Sequence, residues 1–247
     1  MLRSLKDVLR FKRFEKNPAQ RRLNKAANIA DLRTIAQRRL PGGVFDYIDG
    51  AAEDERTLRD NVSAFSNYKF KPRVLRDVSN IDSSAKILGT ATPLPLICAP
   101  TGFTRIAHSD GELAVSRSAA KAEIPFSLST MATRSIEEIH QTTKQLEEAQ
   151  NLSPRNWFQV YVWKDRGLLR DLLDRANEAD FEAIVITVDT AVLGRRERDV
   201  RRGFTLPPQL GIATIIDGVR NPGWTWNFVA NEPIRFANVV GKSTDDG

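Results

Sequence analysis

The residues best suited to chemistry stand where apolar runs turn polar. The run at 184–188 reads as a buried strand, and it ends in Asp189-Thr190 ahead of the charged stretch Gly194-Arg195-Arg196-Glu197-Arg198-Asp199. The run at 94–99 gives way in the same manner to Pro100-Thr101-Gly102-Phe103-Thr104, and that at 124–128 gives way to Ser129-Thr130. An α/β enzyme builds its site at the C-terminal ends of its strands, so the chemistry is expected there. A further run, 157–162, carries its polar groups inside. Strand alternation sends Gln159 and Tyr161 to one side and Phe158, Val160 and Val162 to the other.

Gln159 offers a donor and an acceptor, Ser129 and Thr187 offer hydroxyls, and Gly102 lets the backbone at Thr101-Gly102 approach a flat ring closely. A heteroaromatic ring with imide-like edges needs that mixture. Tyr47, Tyr161 and Arg196 suit an anionic substrate, because guanidinium binds carboxylate through a fork and phenol donates to it. Each has a plainer reading when taken alone, Thr187 as a structural strand residue and Arg196 as a surface ion-pair partner. Their joint placement at successive strand ends argues for a site. His108 could be a base or a ligand but sits beside a helix cap, so it is expected at the surface; His140 lies late in a polar helical run. No G-x-G-x-x-G follows a strand, and no P-loop, H-E-x-x-H or G-x-S-x-G occurs, which removes the main support for nicotinamide, nucleotide-hydrolysing, zincin and hydrolase-elbow chemistry. The single Cys98 excludes an intramolecular disulfide and a cysteine-cluster zinc site, and no metal is expected.

The elements that must position these groups follow from composition and periodicity. The 247 residues are 41% hydrophobic and 28% charged, with no apolar run approaching the roughly 20 residues of a membrane-spanning helix. The net charge of +6 owes much to residues 1–28, where Arg3, Lys6, Arg10 and Lys12 alternate with Leu2, Leu5, Val8 and Leu9 at helical spacing. Such a segment is either a solvated helix or one that lies on an anionic lipid surface. No aromatic-rich nucleic-acid module accompanies it, so nucleic acid is not an expected partner. Residues 29–92 read as a helical segment, started by Asp31 and broken at Pro41-Gly42-Gly43, followed by short β-prone pieces that cover the bottom of a barrel.

From 93 to 202 strands recur at roughly thirty-residue intervals, one βαβ step each. Ser109-Asp110-Gly111-Glu112 and Ser135-Ile136-Glu137-Glu138 read as capping boxes, and Asp165 as the cap of a helix with the stripe Leu168, Leu169, Leu172, Leu173 and Ala176. The expected fold class is α/β: the first four units of a parallel winding, the N-terminal half of a (β/α)8 TIM barrel preceded by a helical N-terminal segment. Residues 203–247 show no fifth strand and helix unit and read as a long, incomplete lid or membrane-contact loop.

These blocks resemble the FMN-dependent L-2-hydroxy acid dehydrogenases and oxidases. The resemblance rests on the ordered blocks from Phe45 to Glu55, Ala99-Pro100-Thr101-Gly102, Leu128-Ser129-Thr130, Trp157 to Tyr161, Thr187-Val188-Asp189-Thr190 and Gly194 to Asp199. It implies a flavin across the strand ends, faced by the backbone of Thr101 and Gly102 and bonded at its ring edge by Ser129, Gln159 and Thr187. Tyr47, Tyr161 and Arg196 would hold the substrate, with Tyr47 and Tyr161 as the catalytic pair. Pro100 to Thr104 and Asn221-Pro222-Gly223-Trp224-Thr225-Trp226 look most like the bacterial membrane-associated L-lactate dehydrogenases, whose long loop carries the membrane contact. The implied reaction is L-lactate to pyruvate with electrons passed to a quinone. An oxygen-using oxidase or a non-catalytic fragment is the alternative. A cytoplasmic protein, peripheral on the inner face of the cell membrane and homo-oligomeric when complete, is the expected setting. In that family a flavin-contacting Lys, the base His with its Asp, a second substrate Arg and the phosphate loop lie downstream of the lid. None occurs here, so the chain is expected to be truncated after the fourth strand and inactive alone.

Overall fold

Two short asparagine-capped helices, α1 (Pro18–Leu23) and α2 (Ile29–Gln37), lead into the fold in the computed structural model, which describes residues 14–192, 194–202 and 212–239. Residues 1–13 of the basic segment, Leu193, and residues 203–211 and 240–247 of the lid segment lie outside the described residues. The cap of α2 falls before Asp31: Asn28 accepts from the Asp31 N–H at 2.9 Å, while the Asp31 carboxylate accepts from Ala27 N–H at 2.8 Å. This reciprocal pair satisfies two amides and starts the helix earlier than Asp31 alone suggests. Pro41, with no N–H to lose, precedes α3 (Gly42–Asp49), whose Val44 and Phe45 are buried. After it, α4 (Arg56–Ser63) runs into a 3-10 turn at Ala64–Asn67.

An antiparallel hairpin, β1 (Ala85–Ile87) and β2 (Thr90–Thr92), follows. Residues that precede the next strands pin it. Arg155 donates to Ile87 O at 2.9 Å and pairs with Glu182 at 2.7 Å, and Glu182 also accepts from Trp157 Nε1 at 2.9 Å. The hairpin therefore sits at the N-terminal ends of the parallel strands, opposite the site.

The winding proper comprises α5 (Gly111–Lys121), β3 (Phe126–Ser129), α6 (Ile136–Gln150), β4 (Asn156–Tyr161), α7 (Arg166–Glu178) and β5 (Ala183–Thr187). The sheet order is β3-β4-β5 and every pairing is parallel, with Ser129 beside Gln159 and Tyr161 beside Thr187. The run at 94–99 does not form a full strand. Its pairing shrinks to one parallel bridge between Cys98 and Phe126, because Pro95 and Pro100 remove the ladder donors on either side. The expected four strands are thus three and a bridge. Ile124, Phe126, Leu128, Phe158 and Val160 from the sheet pack against Ile136, Ile139, Leu168 and Leu172 from α6 and α7. The apolar stripe of α7 makes this possible.

Of the two capping boxes, only that at Ser135 forms: Glu138 N–H donates to Ser135 Oγ at 3.1 Å, and Ser135 N–H to the Glu138 carboxylate at 2.7 Å. Asp165 caps α7 through Leu168 N–H at 2.9 Å. At α5 the helix begins only at Gly111, whose φ is +48°, and Glu112 turns inward, 2% exposed. Ser109 is taken instead by Asn227, which bonds both its N–H and its hydroxyl.

Beyond β5 come α8 (Glu197–Arg202), α9 (Ile212–Arg220) and α10 (Pro222–Val229). The stretch read as a long lid or membrane-contact loop carries two helices, and no strand occurs among its described residues. Pro222 suits a first helical position, and Ile212, Ile215, Ile216 and Val219 have the 3.6-residue period. The chain then returns to the sheet: Ala237 N–H donates to Ala132 O at 3.1 Å, and Asn238 Oδ1 accepts from Ile136 N–H at 3.0 Å.

Candidate active site

A cavity of about 310 Å³ opens at the C-terminal ends of β3, β4 and β5. The alternation of β4 builds its back wall. Phe158 and Val160 enter the core, so Gln159 and Tyr161 face the cavity. Gln159 is 3% exposed, and its amide is held on both sides. Its oxygen accepts from Ser129 Oγ at 3.1 Å and from Thr130 N–H at 3.2 Å, and its nitrogen donates to Thr187 Oγ at 2.6 Å. The amide is oriented by three hydrogen bonds with the two flanking strand ends.

The opposite wall comes from the loop after the Cys98 bridge. Phe103 lies in the left-handed region at φ +60°, and its N–H donates to Met131 O at 3.0 Å. A Cβ on Gly102 would stand 3.1 Å from Met131 Cβ and 3.2 Å from its carbonyl, so the absence of a side chain permits this approach. Gly102 lines the cavity. Thr101 is exposed and lies outside that lining, its carbonyl accepting from Thr104 Oγ at 3.2 Å.

Tyr47, from α3, closes a third side, edge-on to Phe103 at 6.5 Å between ring centroids. Burial pushes its phenol above the ordinary tyrosine range, against the opposing pull of Arg196. Arg196 stands behind Tyr47 rather than in the lining, with its guanidinium 5.2 Å from the ring centroid. Its Nε pairs with Asp199 at 2.7 Å and its Nη2 donates to Tyr47 O. The next arginine, Arg198, ties α8 to Asp49 at 2.9 Å and also to Glu55. The Arg33 guanidinium, and then Arg198, hold the Asp49 carboxyl below its ordinary range.

Seven of the eight expected residues therefore gather around one cavity, six in its wall and Arg196 behind Tyr47; Thr101 contributes no side chain. Neither histidine takes part. His108 is exposed and accepts from Asp110 N–H at 3.2 Å, while His140 meets Ala179 O at 2.9 Å. The lining also holds Pro100, Phe103, Met131 and Phe236, which the strand-end pattern did not select as site residues. Met131 stands two places beyond Ser129 and was within reach of that logic. Phe236 arrives through the chain return after α10, which leaves no local signature. No cluster of three metal-ligating side chains occurs among the described residues.

A parallel β/α winding with a cavity at its strand ends, lined by a polar amide and two phenols and backed by an arginine, defines an α/β protein whose ligand space lies at the C-terminal ends of its strands. Residues 36–246 match the FMN-dependent dehydrogenase family, and the chain belongs to that family, which is FMN-dependent. Among its relatives is a protein of Mycobacterium tuberculosis (strain ATCC 25618 / H37Rv) named "Putative L-lactate dehydrogenase", 42% identical over 238 residues, covering 96% of this chain and 56% of the relative. Glycolate oxidase 1 of Oryza sativa subsp. indica is 42% identical over 188 residues, covering 76% of this chain and 48% of its own. The crystal structure of the monotopic membrane protein (S)-mandelate dehydrogenase superposes with a TM-score of 0.81 at 35% identity, covering 90% of this chain and 57% of that one. The chain spans about half the length of the curated relatives it matches. Among the described residues no helix is long and apolar enough to cross a membrane.

Proposed function

We propose that this chain supplies the ring-binding and substrate-anchoring part of an FMN-dependent enzyme that oxidises an L-2-hydroxy acid, L-lactate to pyruvate first among them. The observation that carries the reading is the Gln159 amide, bonded toward Ser129 on one side and Thr187 on the other, across a cavity floored by Gly102. Donors and acceptors alternate along that edge as a flavin ring requires, and the side-chain-free floor suits a planar group. Ser129, Gln159 and Thr187 would hold the ring edge, and the backbone of Thr101 and Gly102 would lie against its face. FMN, when bound, supplies the two-electron oxidation.

The chain's own groups bind and orient. Tyr47 and Tyr161 both reach the cavity, and burial weakens the Tyr47 phenol as an acid still further, so it stays protonated at neutral pH and can donate to a carboxylate or hydroxyl. Arg196 stands behind the Tyr47 ring with its Nε on Asp199 and Nη2 on Tyr47 O, so its proposed part is to bring positive charge, and its remaining Nη hydrogens, toward a carboxylate bound beside Tyr47. Phe103, Met131 and Phe236 give the same space apolar walls. No histidine or carboxylate is among these lining residues, so the reading gives them no proton-abstracting role.

A quinone is the proposed acceptor. Ile215, Val219 and Trp226 present apolar side chains to solvent at 58%, 74% and 75% exposure, as a surface that meets lipid does, and the similar mandelate dehydrogenase is described as monotopic. Similarity to glycolate oxidase 1 favours oxygen as the second reading.

The test separates the two roles. Bound flavin is followed by fluorescence, and substrate by the perturbation L-lactate causes in the flavin spectrum. Arg196→Lys should weaken the lactate response about ten-fold and leave flavin affinity intact, because Lys lacks the fork. Gln159→Leu should weaken flavin about ten-fold or more by leaving polar groups unpaired. Equal loss of flavin in both variants, with unchanged lactate dependence, would overturn the assignment.

A further inference from the structure

We infer that Glu112 is a positioning residue that sets the spacing between the two loops forming opposite walls of the cavity, an inference that rests on the flavin reading of that cavity. Its carboxylate is 2% exposed and has no cationic partner within ion-pair distance among the described residues. It accepts three hydrogen bonds instead. Oε1 takes Thr104 N–H at 3.2 Å and Thr133 N–H at 2.9 Å, and Oε2 takes the Thr133 hydroxyl at 2.7 Å. Thr133 Oγ in turn accepts from Arg105 N–H at 3.3 Å.

The placement of those donors gives the contact its meaning. Thr104 follows Phe103, and Thr133 lies two residues past Met131, so one oxygen grips both loops immediately behind their cavity-lining residues. The two loops are also joined directly by Phe103 N–H to Met131 O, made by a residue at φ +60°, and by Arg105 N–H to the Thr133 hydroxyl. A left-handed Phe costs of order 1 kcal/mol and persists only where its surroundings over-determine it. Glu112 supplies that determination. It also fixes the close approach of Gly102 to Met131, where an added Cβ would stand 3.1 Å from Met131 Cβ, and hence the width of the space offered to a ring. Arg105 reinforces the clasp from the outside, bonding Ser109 O at 3.2 Å and Glu232 O at 2.7 Å.

Charge-assisted acceptors to backbone N–H are about twice as strong as neutral ones, and burying one without its donors is costly. Glu112→Gln preserves the shape and removes the charge. Its amide can keep the two N–H donors on oxygen, but it turns a second donor toward the Thr133 hydroxyl.

The experiment uses the 247-residue chain with two probes, FMN and riboflavin; riboflavin carries the ring without the phosphate and so reports the walls alone. Flavin fluorescence gives the affinity, the fine structure of the visible band gives the ring environment, and amide hydrogen exchange at Thr104 and Thr133 gives the grip on the loops. Glu112→Gln is expected to weaken riboflavin about ten-fold, blur the band, and speed exchange at both amides about ten-fold, with the melting transition retained. Leu172→Ala, in the core between sheet and helices and 1% exposed, is the control. It should lower the melting temperature and leave ring affinity and both amides unchanged in the folded fraction. If wild-type chain binds the ring and Glu112→Gln matches it in affinity, band shape and exchange, the role of Glu112 is overturned and the flavin reading stands. If the wild-type chain binds neither probe, the flavin reading falls and the positioning role falls with it.

Discussion

A missing methyl group at Gly194 decides where Arg196 can stand. A Cβ there would fall 2.5 Å from the Ala52 Cβ, well inside contact distance, and Glu53 N–H bonds Arg195 O at 2.8 Å in the same crossing. The loop that carries Arg196 is thereby pressed against the turn after α3, which carries Tyr47. Gly194→Ala should push the loop outward and draw the guanidinium away from Tyr47, while the exposed loop contributes little to global stability. The expected result is an L-lactate response about ten-fold weaker, as for the loss of one charged hydrogen bond, with flavin affinity and melting temperature near wild type. Titration of the flavin spectrum with lactate checks it; an unchanged response would show that Arg196 does not need this crossing. At this scale the sequence was informative wherever period-2 alternation operated. Gln159 and Tyr161 face the cavity because Phe158 and Val160 must be buried. Arg196 itself could be named, but not its station behind Tyr47, since that depends on Asp199 and on a helix far away in sequence.

Between elements, the α6–α7 contact gives a pH-dependent measurement. Arg175 pairs with Glu137 at 2.7 Å and also reaches Asn238 O at 3.3 Å, joining two helices and the returning chain. The Arg175 guanidinium lowers the Glu137 carboxyl from its ordinary 4.5 to about 2, with burial opposing. A depressed carboxyl stabilises the folded state at pH above its unfolded value, and the contribution is lost as pH falls through the folded value. The window therefore runs from about 4.5 down to about 2. The Glu137 side chain is 56% exposed, so solvent screening reduces the effect to a modest one. Glu137→Gln should lower the melting temperature slightly at pH 7 and flatten its fall across that window; a slope identical to wild type would assign acid lability to other groups. The same helices show what local signals can and cannot say. Ser135 forms the capping box its sequence suggests because nothing competes for Glu138's backbone-directed oxygen. Ser109 and Glu112 have the same spacing, yet the positive φ of Gly111 and the donors of Thr104 and Thr133 draw the glutamate inward. A spacing rule sees the residues but not the partner loop. Likewise Leu94 to Cys98 has strand composition, and its flanking prolines leave only a bridge.

For the molecule as a whole, the winding direction and the order of its parallel steps were legible, because each strand and helix pair carries its own period and start signal. The docking of residues 221–239 was not. It depends on single side chains that find distant backbone, such as Trp224 Nε1 to Ile106 O at 2.7 Å and Asn227 to Ser109. The sheet also has an unbalanced face. Phe158 and Val160 of β4 are covered by α6 and α7, but their register partners Ile184 and Ile186 on β5 are 40% and 58% exposed, and Val188 beyond them is 86% exposed. Among the described residues no further strand pairs with β5. An apolar edge strand with unpaired donors and acceptors is a template for pairing with another chain. The purified 247-residue chain is therefore expected to self-associate at micromolar concentration and to bind a hydrophobic dye, as sedimentation and dye fluorescence would record. Placing charges on this face with Ile184→Lys and Ile186→Lys should shift sedimentation toward the monomer and reduce the dye signal, because edge lysines oppose strand addition. The cavity side of β5 points the other way, so Thr187 and its bond to Gln159 should be preserved, and flavin affinity with them. A wild-type chain that sediments as a dye-silent monomer with a sharp cooperative melt would overturn the expectation and require that the exposed face of β5 is covered from within the chain.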